Sequence, residues 1–198
     1  MLIMGKREND EKALSDLELI RRCLEGELRA QELLYKRYFS FAMSVAVRYT
    51  ADEDVAMEVI NDSFMKVLDK INEFDLTKPF RSWYCRILVN SAIDNYRRNA
   101  KHSSHLQLSE IEATEEHGPE VEADISAGDI IYLFSLLPEN YRVTFNLFEI
   151  EGYTHDEIGQ MLGITASASR SNMSRARKML RELYTRNFSP VKKNNEAV

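Results

Sequence analysis

The chain is poor in the residues that cross-link a fold or reverse its direction. Its 198 residues include only 2 cysteines, 7 glycines and 4 prolines. So few turn-forming residues argue against a many-turned β-sandwich and against disorder along most of the chain. Cys23 and Cys85 form no CxxC motif and have no histidine at metal-binding spacing. We therefore expect neither a disulfide framework nor a zinc finger.

Long hydrophobic runs are also missing. A bilayer-spanning helix needs about 20 apolar residues, and the best short stretch, residues 41–47, is far briefer. The N-terminus becomes charged at Lys6 and Arg7 before a signal-peptide core can form. We expect a non-exported, cytoplasmic protein that does not insert into membranes.

Positive charge is absent from one long segment and concentrated in another. The net charge is -6, yet residues 102–141 contain no lysine or arginine. Residues 170–193 contain eight basic side chains against one acid, Glu182. A basic segment beside an acidic one is typical of a surface that meets phosphates. On charge alone, a merely solvated surface is an equally good interpretation.

Helical periodicity dominates what is present. Apolar residues at spacings of three and four predict helices over residues 15–26, 27–49, 52–71, 77–99, 130–137, 138–150, 155–162 and 165–184. Thr77 and Pro79 are the expected N-cap and first-turn proline of the fourth helix. The predicted fold is all-α: two small helical lobes, 15–100 and 128–185, are joined by a flexible acidic linker, 101–127. The tails are 1–14 and 186–198.

The second lobe contains a helix-turn-helix pattern. Thr154 and Glu157 form a capping box for a short helix, Gly163 supplies a tight turn, and Thr165 caps a longer helix. At 100° per residue the longer helix has an apolar face of Met173, Ala176, Leu180 and Leu183. Its opposite face carries Arg170, Ser174, Arg177, Lys178 and Arg181.

Such a second helix would lie in the major groove of DNA. We predict base contacts from Arg170 and Asn172, with close approach at the small residues Ala166, Ser167 and Ser171. Phosphate contacts are predicted from Arg175, Arg177 and Lys178. An amphipathic helical hairpin with a solvated basic face is the less favoured alternative.

The fourth helix carries a narrow polar stripe. Arg86, Asn90 and Arg97 fall within an arc of about 40°, with Trp83 and Asp94 adjoining. Arginine for phosphate, asparagine for base edges and tryptophan for stacking suit single-stranded or opened DNA. The alternative is a surface stripe beside one core tryptophan.

The histidines predict no metal site and no cofactor. His155 is followed by Asp156 and Glu157, but acids in a first helical turn complement the helix dipole and need no metal to explain them. No partner ligands lie nearby in sequence. The same interpretation applies to His102 and His105.

Three blocks in this order resemble the extracytoplasmic-function (ECF) subfamily of bacterial RNA polymerase sigma factors, most closely the type common in Bacteroidetes. The first block, residues 53–66, reads EDVAMEVINDSFMK. The second contains FRSW at 80–83 and NSAIDNYRR at 90–98. The third contains LP at 137, EGYTHDEI at 151, LGI at 162 and SRAR at 174. The resemblance covers about residues 15–100 and 128–184.

The resemblance implies a specificity subunit that binds core RNA polymerase, recognises and melts promoters, and directs transcription initiation without being an enzyme. It implies contacts to the β′ clamp and the β flap of the polymerase. The residues matching the clamp-binding helix are Asp54, Glu58, Asn61, Asp62, Phe64 and Lys66.

The same resemblance divides promoter DNA between the lobes. The minus-ten residues would be Lys78, Arg81, Trp83, Arg86, Asn90, Asp94, Arg97 and Arg98, with a base pocket formed by the loop 72–79. The minus-thirty-five residues would be Thr165, Ser167, Arg170, Ser171, Asn172, Ser174, Arg175, Arg177 and Lys178. It also implies a chain that is monomeric when free, a linker that threads the polymerase channel, and an anti-sigma factor that masks both lobes.

The recognition helix departs from the family pattern. Residues 167–177 read SASRSNMSRAR, where the family commonly reads Gly-Thr-Val-Lys-Ser-Arg-Leu-His-Arg-Ala-Arg. Ser169 replaces an apolar residue and Asn172 replaces arginine, so the role is expected to be kept while the upstream promoter sequence differs.

Two other classes of function stay open from the residues alone. A stand-alone helix-turn-helix regulator would bind duplex DNA tightly without polymerase and sense a signal through residues 1–100. A metal-dependent nuclease would use the acids at 110–129, which lie in a non-periodic segment poorly suited to rigid metal ligation.

Overall fold

The computed structural model of the chain describes residues 14–102 and 126–188. Every regular element among these residues is a helix, and the chain divides into two compact units after His102. This confirms the all-α prediction of two lobes. Most of the predicted tails and almost all of the acidic linker lie outside the described residues, while residues 186–188, assigned to the C-terminal tail, belong to the helix Ala166–Phe188.

Within residues 14–102, four α-helices build the first lobe. They are α1, Asp16–Leu24; α2, Leu28–Thr50; α3, Glu53–Lys70; and α4, Phe80–His102, with a 3-10 turn at Ile71–Glu73 after α3. Helix α2 packs on α1, α3 and α4. Side chains from three helices are fully buried at the centre: Leu34, Ile60 and Leu88 are each 0% exposed. Their removal from water is the main force that holds the lobe together.

Helix α1 is fixed at its start by a capping box. The Glu18 N–H donates to Ser15 Oγ at 3.2 Å, and the Ser15 N–H donates to Glu18 Oε2 at 2.8 Å. Asp16 then ties α1 to α2, because its carboxylate accepts hydrogen bonds from Arg37 at 2.9 Å and from the Tyr38 hydroxyl. A helix of this length has little stability alone and depends on such contacts.

The predicted N-cap of α4 is wrong. Helix α4 begins at Phe80, and the Ser82 N–H donates to the Pro79 carbonyl at 3.2 Å. Thr77 lies before the helix and donates both its N–H and its hydroxyl to Asp75 Oδ1, at 3.0 and 2.7 Å. The aspartate therefore forms a local turn that engages the side chain expected to cap the helix.

In the second lobe, residues 126–188 form α5, Ala127–Ser135; α6, Glu139–Phe145; α7, His155–Leu162; and α8, Ala166–Phe188. Helix α6 continues into a π-helical turn, Asn146–Ile150, which the sequence did not predict. The core of the second lobe includes Leu147 and Ile158, both 0% exposed, together with Met173 at 3% and Ala176 at 0%. Leu180 and Leu183, predicted to face inward, are half-buried because they lie toward the end of α8.

The predicted helix-turn-helix is confirmed in α7 and α8. Thr154 and Glu157 form the capping box of α7, and Gly163 takes a left-handed conformation with φ of 71°. The Ile164 N–H donates to the Gly159 carbonyl at 3.0 Å, which closes the turn. No helix in the described ranges combines the length and the apolar composition needed to cross a membrane.

Gly159→Ala is expected to destabilise the chain by about 1–3 kcal/mol, because it forces extra volume into a packed site. A Cβ there would lie 2.8 Å from the Ile164 carbonyl oxygen, a backbone atom of the turn. Gly128→Ala is the matched control, since its Cβ would meet only Ser126 Oγ at 3.7 Å. Urea unfolding followed by circular dichroism measures both, and equal midpoints for the two variants would contradict the prediction.

Candidate functional site

The polar stripe of α4 is present on the surface of the first lobe. Arg86, Asn90, Asp94 and Arg97 are exposed, while Tyr84, Leu88 and Val89 on the same helix are at most 2% exposed. The spacing of these polar residues keeps them along one side of the helix. The structure therefore confirms a helix that is buried on its flanks and open along one strip.

Trp83 stands at the N-terminal end of the stripe and is half-buried. Its ring centroid lies 5.0 Å from that of Phe74 and 5.7 Å from that of Phe80. Phe74 belongs to the loop before α4 and is only 7% exposed, so it anchors that loop to the lobe. The result is an aromatic cluster at the junction of loop and stripe, in which Trp83 keeps part of its surface exposed.

Two basic side chains flank this junction. Lys78 Nζ lies 3.4 Å from Asp75 Oδ2 and is largely exposed. The Arg81 guanidinium carbon lies 4.3 Å from the centre of the Phe41 ring, a cation–π contact. The hydrogen bonds from Thr77 lower the pKa of the Asp75 carboxyl, with a smaller contribution from Lys78. The loop is therefore held by an ionised aspartate.

The outer face of α3 presents acids and an amide. Asp54, Glu58, Asn61 and Asp62 are exposed, and Asn61 Oδ1 accepts a hydrogen bond from the Tyr35 hydroxyl at 2.9 Å. Met65 is 59% exposed on the same helix. Its exposure was not predicted, although a large apolar side chain in a polar surface is a signal for protein contact.

Phe64 was assigned to the polymerase-binding set, and the structure places it in the core of the first lobe. Its side chain is 7% exposed. Its ring packs against Tyr35 at 5.0 Å between centroids and against Tyr84 at 6.3 Å. Phe64 belongs to the apolar stripe of α3, so the matching motif reflects a core residue rather than a contact residue.

Two ion pairs join α3 to α4 across the first-lobe surface. Lys66 Nζ lies 3.0 Å from Asp94 Oδ2 and 3.1 Å from Ser91 Oγ. Arg98 Nη2 lies 3.3 Å from Asp62 Oδ2. Residues assigned to polymerase binding therefore touch residues assigned to the minus-ten element, so the two predicted surfaces adjoin.

In the second lobe, the N-terminal part of α8 is open to solvent. Thr165, Ser167, Arg170 and Lys178 are exposed, and Thr165 Oγ1 accepts the Ala168 N–H at 3.0 Å, as predicted for a cap. Among the other predicted residues, three are half-buried: Ser171, Ser174 and Arg175.

Asn172 was predicted to contact bases, and its burial argues against that role. Its side chain is only 5% exposed. Asn172 lies one helical turn before Ala176 and one turn after Ser169, both of which are 0% exposed. Asn172 therefore lies on the inner side of α8. The prediction followed from its place near the start of the recognition helix and did not take into account its position around the helix.

Arg177 is exposed in part, but its guanidinium is engaged within the lobe. Its Nε and Nη2 lie 3.1 and 2.6 Å from Glu149 Oε1. Nearby, His155 Nδ1 and Ser169 Oγ are 2.9 Å apart, which gives the fully buried Ser169 a polar partner. The family's apolar side chain at this position is thus replaced by a hydrogen bond between the two helices of the motif.

The second lobe is expected to lose stability as the pH falls below the ordinary pKa of histidine, about 6.5. Burial lowers the pKa of His155, and the nearby Arg170 and Arg177 lower it further, against a smaller opposing effect of Asp156. At a pH below the ordinary pKa of histidine, the unfolded chain therefore binds more protons at His155 than the folded chain does. The lobe becomes less stable as the pH decreases. Urea midpoints at about pH 7.5 and about pH 5.5 measure the loss, and His155→Asn should reduce it. An unchanged pH dependence in that variant would contradict the prediction.

Metal-dependent chemistry receives no support from the parts of the chain described. Within residues 14–102 and 126–188, no three histidine, cysteine, aspartate or glutamate side chains are grouped as metal ligands. Most of the acids that the nuclease hypothesis requires lie outside those ranges.

Comparison with known proteins identifies both lobes. Sigma-70 region 2 matches residues 34–102, and Sigma-70 region 4 matches residues 128–180, together more than half of the chain. An ECF RNA polymerase sigma-E factor of Haemophilus influenzae is 28% identical over 184 residues, covering 84% of this chain and 94% of the relative. The sigma-E factor of Escherichia coli K12 is 26% identical over 178 residues, covering 84% and 93%.

Among solved structures, one similar protein is the sigma factor RpoE of a co-crystal with the anti-sigma factor NepR from Bartonella quintana. It is 21% identical, with a TM-score of 0.46, covering 79% of this chain and 96% of that chain.

Proposed function

Because the chain belongs to the ECF sigma factors of the sigma-70 family, we propose that it binds core RNA polymerase and directs transcription initiation from specific promoters. The observation that carries this proposal is the exposed polar stripe of α4 within region 2, on the same chain as a region 4 helix-turn-helix. The two elements suit two different forms of DNA, opened and duplex.

The polymerase clamp is the proposed partner of α3. Its exposed acids and amide, Asp54, Glu58, Asn61 and Asp62, form a polar surface around the exposed side chain of Met65. Such a surface combines charge, which steers the encounter, with an apolar centre, which is removed from water on binding. Phe64 is left out of the proposed contact set because it is buried.

The stripe of α4 is the proposed minus-ten surface. Arg86, Arg97 and Arg98 would bind phosphates, Asn90 would bind a base edge, and Trp83 would stack. The aromatic cluster around Trp83 lies where the loop 72–79 meets α4, which supports a pocket for one unstacked base at that junction. Lys78 and Arg81 flank it, and Asp94 lies further along the stripe, paired with Lys66.

The N-terminal half of α8 is the proposed minus-thirty-five reader. Arg170 is exposed in its second turn and would bind a base edge, with the small residues Ser167 and Ser171 permitting close approach. Thr165, Ser174, Arg175 and Lys178 would hold the DNA backbone. Asn172 is left out because it is buried. The same lobe would contact the β flap of the polymerase.

Other properties are proposed from family membership. The chain would act in the cytoplasm as a monomer when free, would catalyse no reaction itself, and would be held inactive by an anti-sigma factor. The blocks that resemble Bacteroidetes sigma factors support assignment to that type.

Run-off transcription tests the proposal. Core polymerase loaded with the full chain should start RNA at a limited set of sites on genomic DNA from its own species, and those sites should share two upstream motifs. RNA ends no different from those produced by core polymerase alone would count against promoter recognition.

A further inference from the structure

The Arg177 side chain is held within the second lobe by an acid from outside α8. Both of the hydrogen bonds described above go to one oxygen of Glu149, a residue 28 positions earlier in the chain. The two side chains are 46% and 36% exposed, so the pair lies at the surface but is not fully solvated. The guanidinium carbon also lies 6.0 Å from the centre of the Phe148 ring.

Phe148 is itself held in place by the helix-turn-helix. Its ring stacks on that of His155, with centroids 4.4 Å apart and planes 12° apart. His155 in turn contacts Ser169 of α8 at 2.9 Å. The guanidinium therefore adjoins a chain of contacts that starts before α7, passes through α7 and returns to α8.

The π-helical turn places Phe148 and Glu149 beside α8. In this turn the Glu151 N–H donates to the Asn146 carbonyl at 3.0 Å, five residues earlier, so one extra residue is accommodated. Leu147 remains fully buried while Glu149 reaches the surface. Turns of this kind are often found at functional sites.

Position along α8 also separates Arg177 from the residues that read bases. Arg170 is in the second turn of the helix, and Arg177 lies about 10 Å further along at 1.5 Å per residue. Recognition helices read bases with their N-terminal residues. A phosphate bound at Arg177 would also bring its negative charge close to the Glu149 carboxylate, which is unfavourable.

We infer that Arg177 is a positioning residue that joins α8 to the π-helical turn through Glu149, and not the phosphate contact that the sequence predicts. Its role is to fix the orientation in which Arg170 is presented to the promoter. This inference rests on the proposed function of the second lobe.

Salt dependence of promoter binding tests the inference. The holoenzyme, assembled from core polymerase and the full chain, is titrated with a promoter duplex that it transcribes, over about 50 to 200 mM salt. Arg177→Gln should weaken binding about threefold to fivefold without changing the salt slope, because a surface ion pair and no phosphate contact is lost. The matched control is Lys178→Gln, which removes the adjacent exposed basic side chain and should reduce the salt slope by about 0.9.

Two further variants test the pair, and one of them, Glu149→Gln, gives results of opposite sign under the two interpretations. Glu149→Gln should weaken promoter binding as Arg177→Gln does, whereas it should strengthen binding if Arg177 contacts phosphate. The double exchange Glu149→Arg with Arg177→Glu should retain binding within about threefold of the original chain, because the pair is restored.

The inference is overturned if Arg177→Gln lowers the salt slope by about 0.9, or if Glu149→Gln tightens binding. Circular dichroism shows whether the doubly exchanged variant folds. If that variant does not fold, Glu149→Gln decides whether Arg177 acts through Glu149 or contacts phosphate. Failure of the unmodified holoenzyme to bind any promoter would instead overturn the proposed function.

Discussion

Reversing two acids of α3, by Asp54→Arg with Glu58→Arg, is expected to weaken binding to core polymerase by about 100-fold, since like charges at an interface cost several kcal/mol. Both side chains are exposed and lie one helical turn apart, so they occupy one face. Folding should change little, apart from about 0.5 kcal/mol for losing an acid in the first turn of α3. Fluorescence titration of labelled core polymerase measures the affinity.

The control for this variant changes the net charge by the same amount at a different place on the first lobe. Glu25 and Glu27 are exposed acids at the connection between α1 and α2. Glu25→Arg with Glu27→Arg should leave the affinity within about threefold of the original. Equal losses in the two double variants would mean that total charge, and not the α3 face, controls the encounter.

Leu88→Ala is expected to lower the free energy of unfolding of the first lobe by about 3–4 kcal/mol, through lost burial and the remaining cavity. Leu88 is 0% exposed at the middle of α4, behind the polar stripe. The chain's single tryptophan, Trp83, lies on this helix, so its fluorescence in urea reports unfolding of this lobe. The same loss should reduce promoter opening at temperatures near the new midpoint.

Leu147→Ala is the matched truncation in the second lobe, where Leu147 is also 0% exposed. It should lower the unfolding midpoint seen by circular dichroism and shift the Trp83 fluorescence midpoint much less. A loss below about 1 kcal/mol for Leu88→Ala would show that α4 is not packed as described.

The periodicity of apolar residues was sufficient to predict the helices, and the angle between residues was sufficient to predict the polar stripe of α4. The stripe emerges from the fixed angle of 100° between successive residues, which applies before any tertiary contact is known. Arg86, Asn90 and Arg97 were therefore placed correctly on an open side of the helix. Capping boxes were predictable for a similar reason, because both partners are three residues apart.

Two residues assigned to binding surfaces lie on the buried sides of their helices. Phe64 is in a block shared with the family, whereas Asn172 departs from the family pattern, and the two are 7% and 5% exposed. A motif contains core residues as well as contact residues, since both kinds are constrained by the fold. Only the position around the helix separates them.

Contacts between distant residues could not be predicted from the sequence. The Arg177–Glu149 pair spans 28 positions and depends on a π-helical turn, which has no clear signal in the residues. The Lys66–Asp94 pair likewise depends on how α3 packs against α4. Thr77 failed as a cap because Asp75, two residues earlier, competes for its hydrogen bonds.

Competition for core polymerase is the most direct test of the central claim. The full chain is added to core polymerase carrying a labelled housekeeping sigma factor, and duplex DNA binding by the chain alone is measured alongside. We predict that the chain displaces the labelled factor and binds duplex DNA only weakly by itself. Specific duplex binding without displacement would contradict a role as a sigma factor and would favour a stand-alone helix-turn-helix regulator.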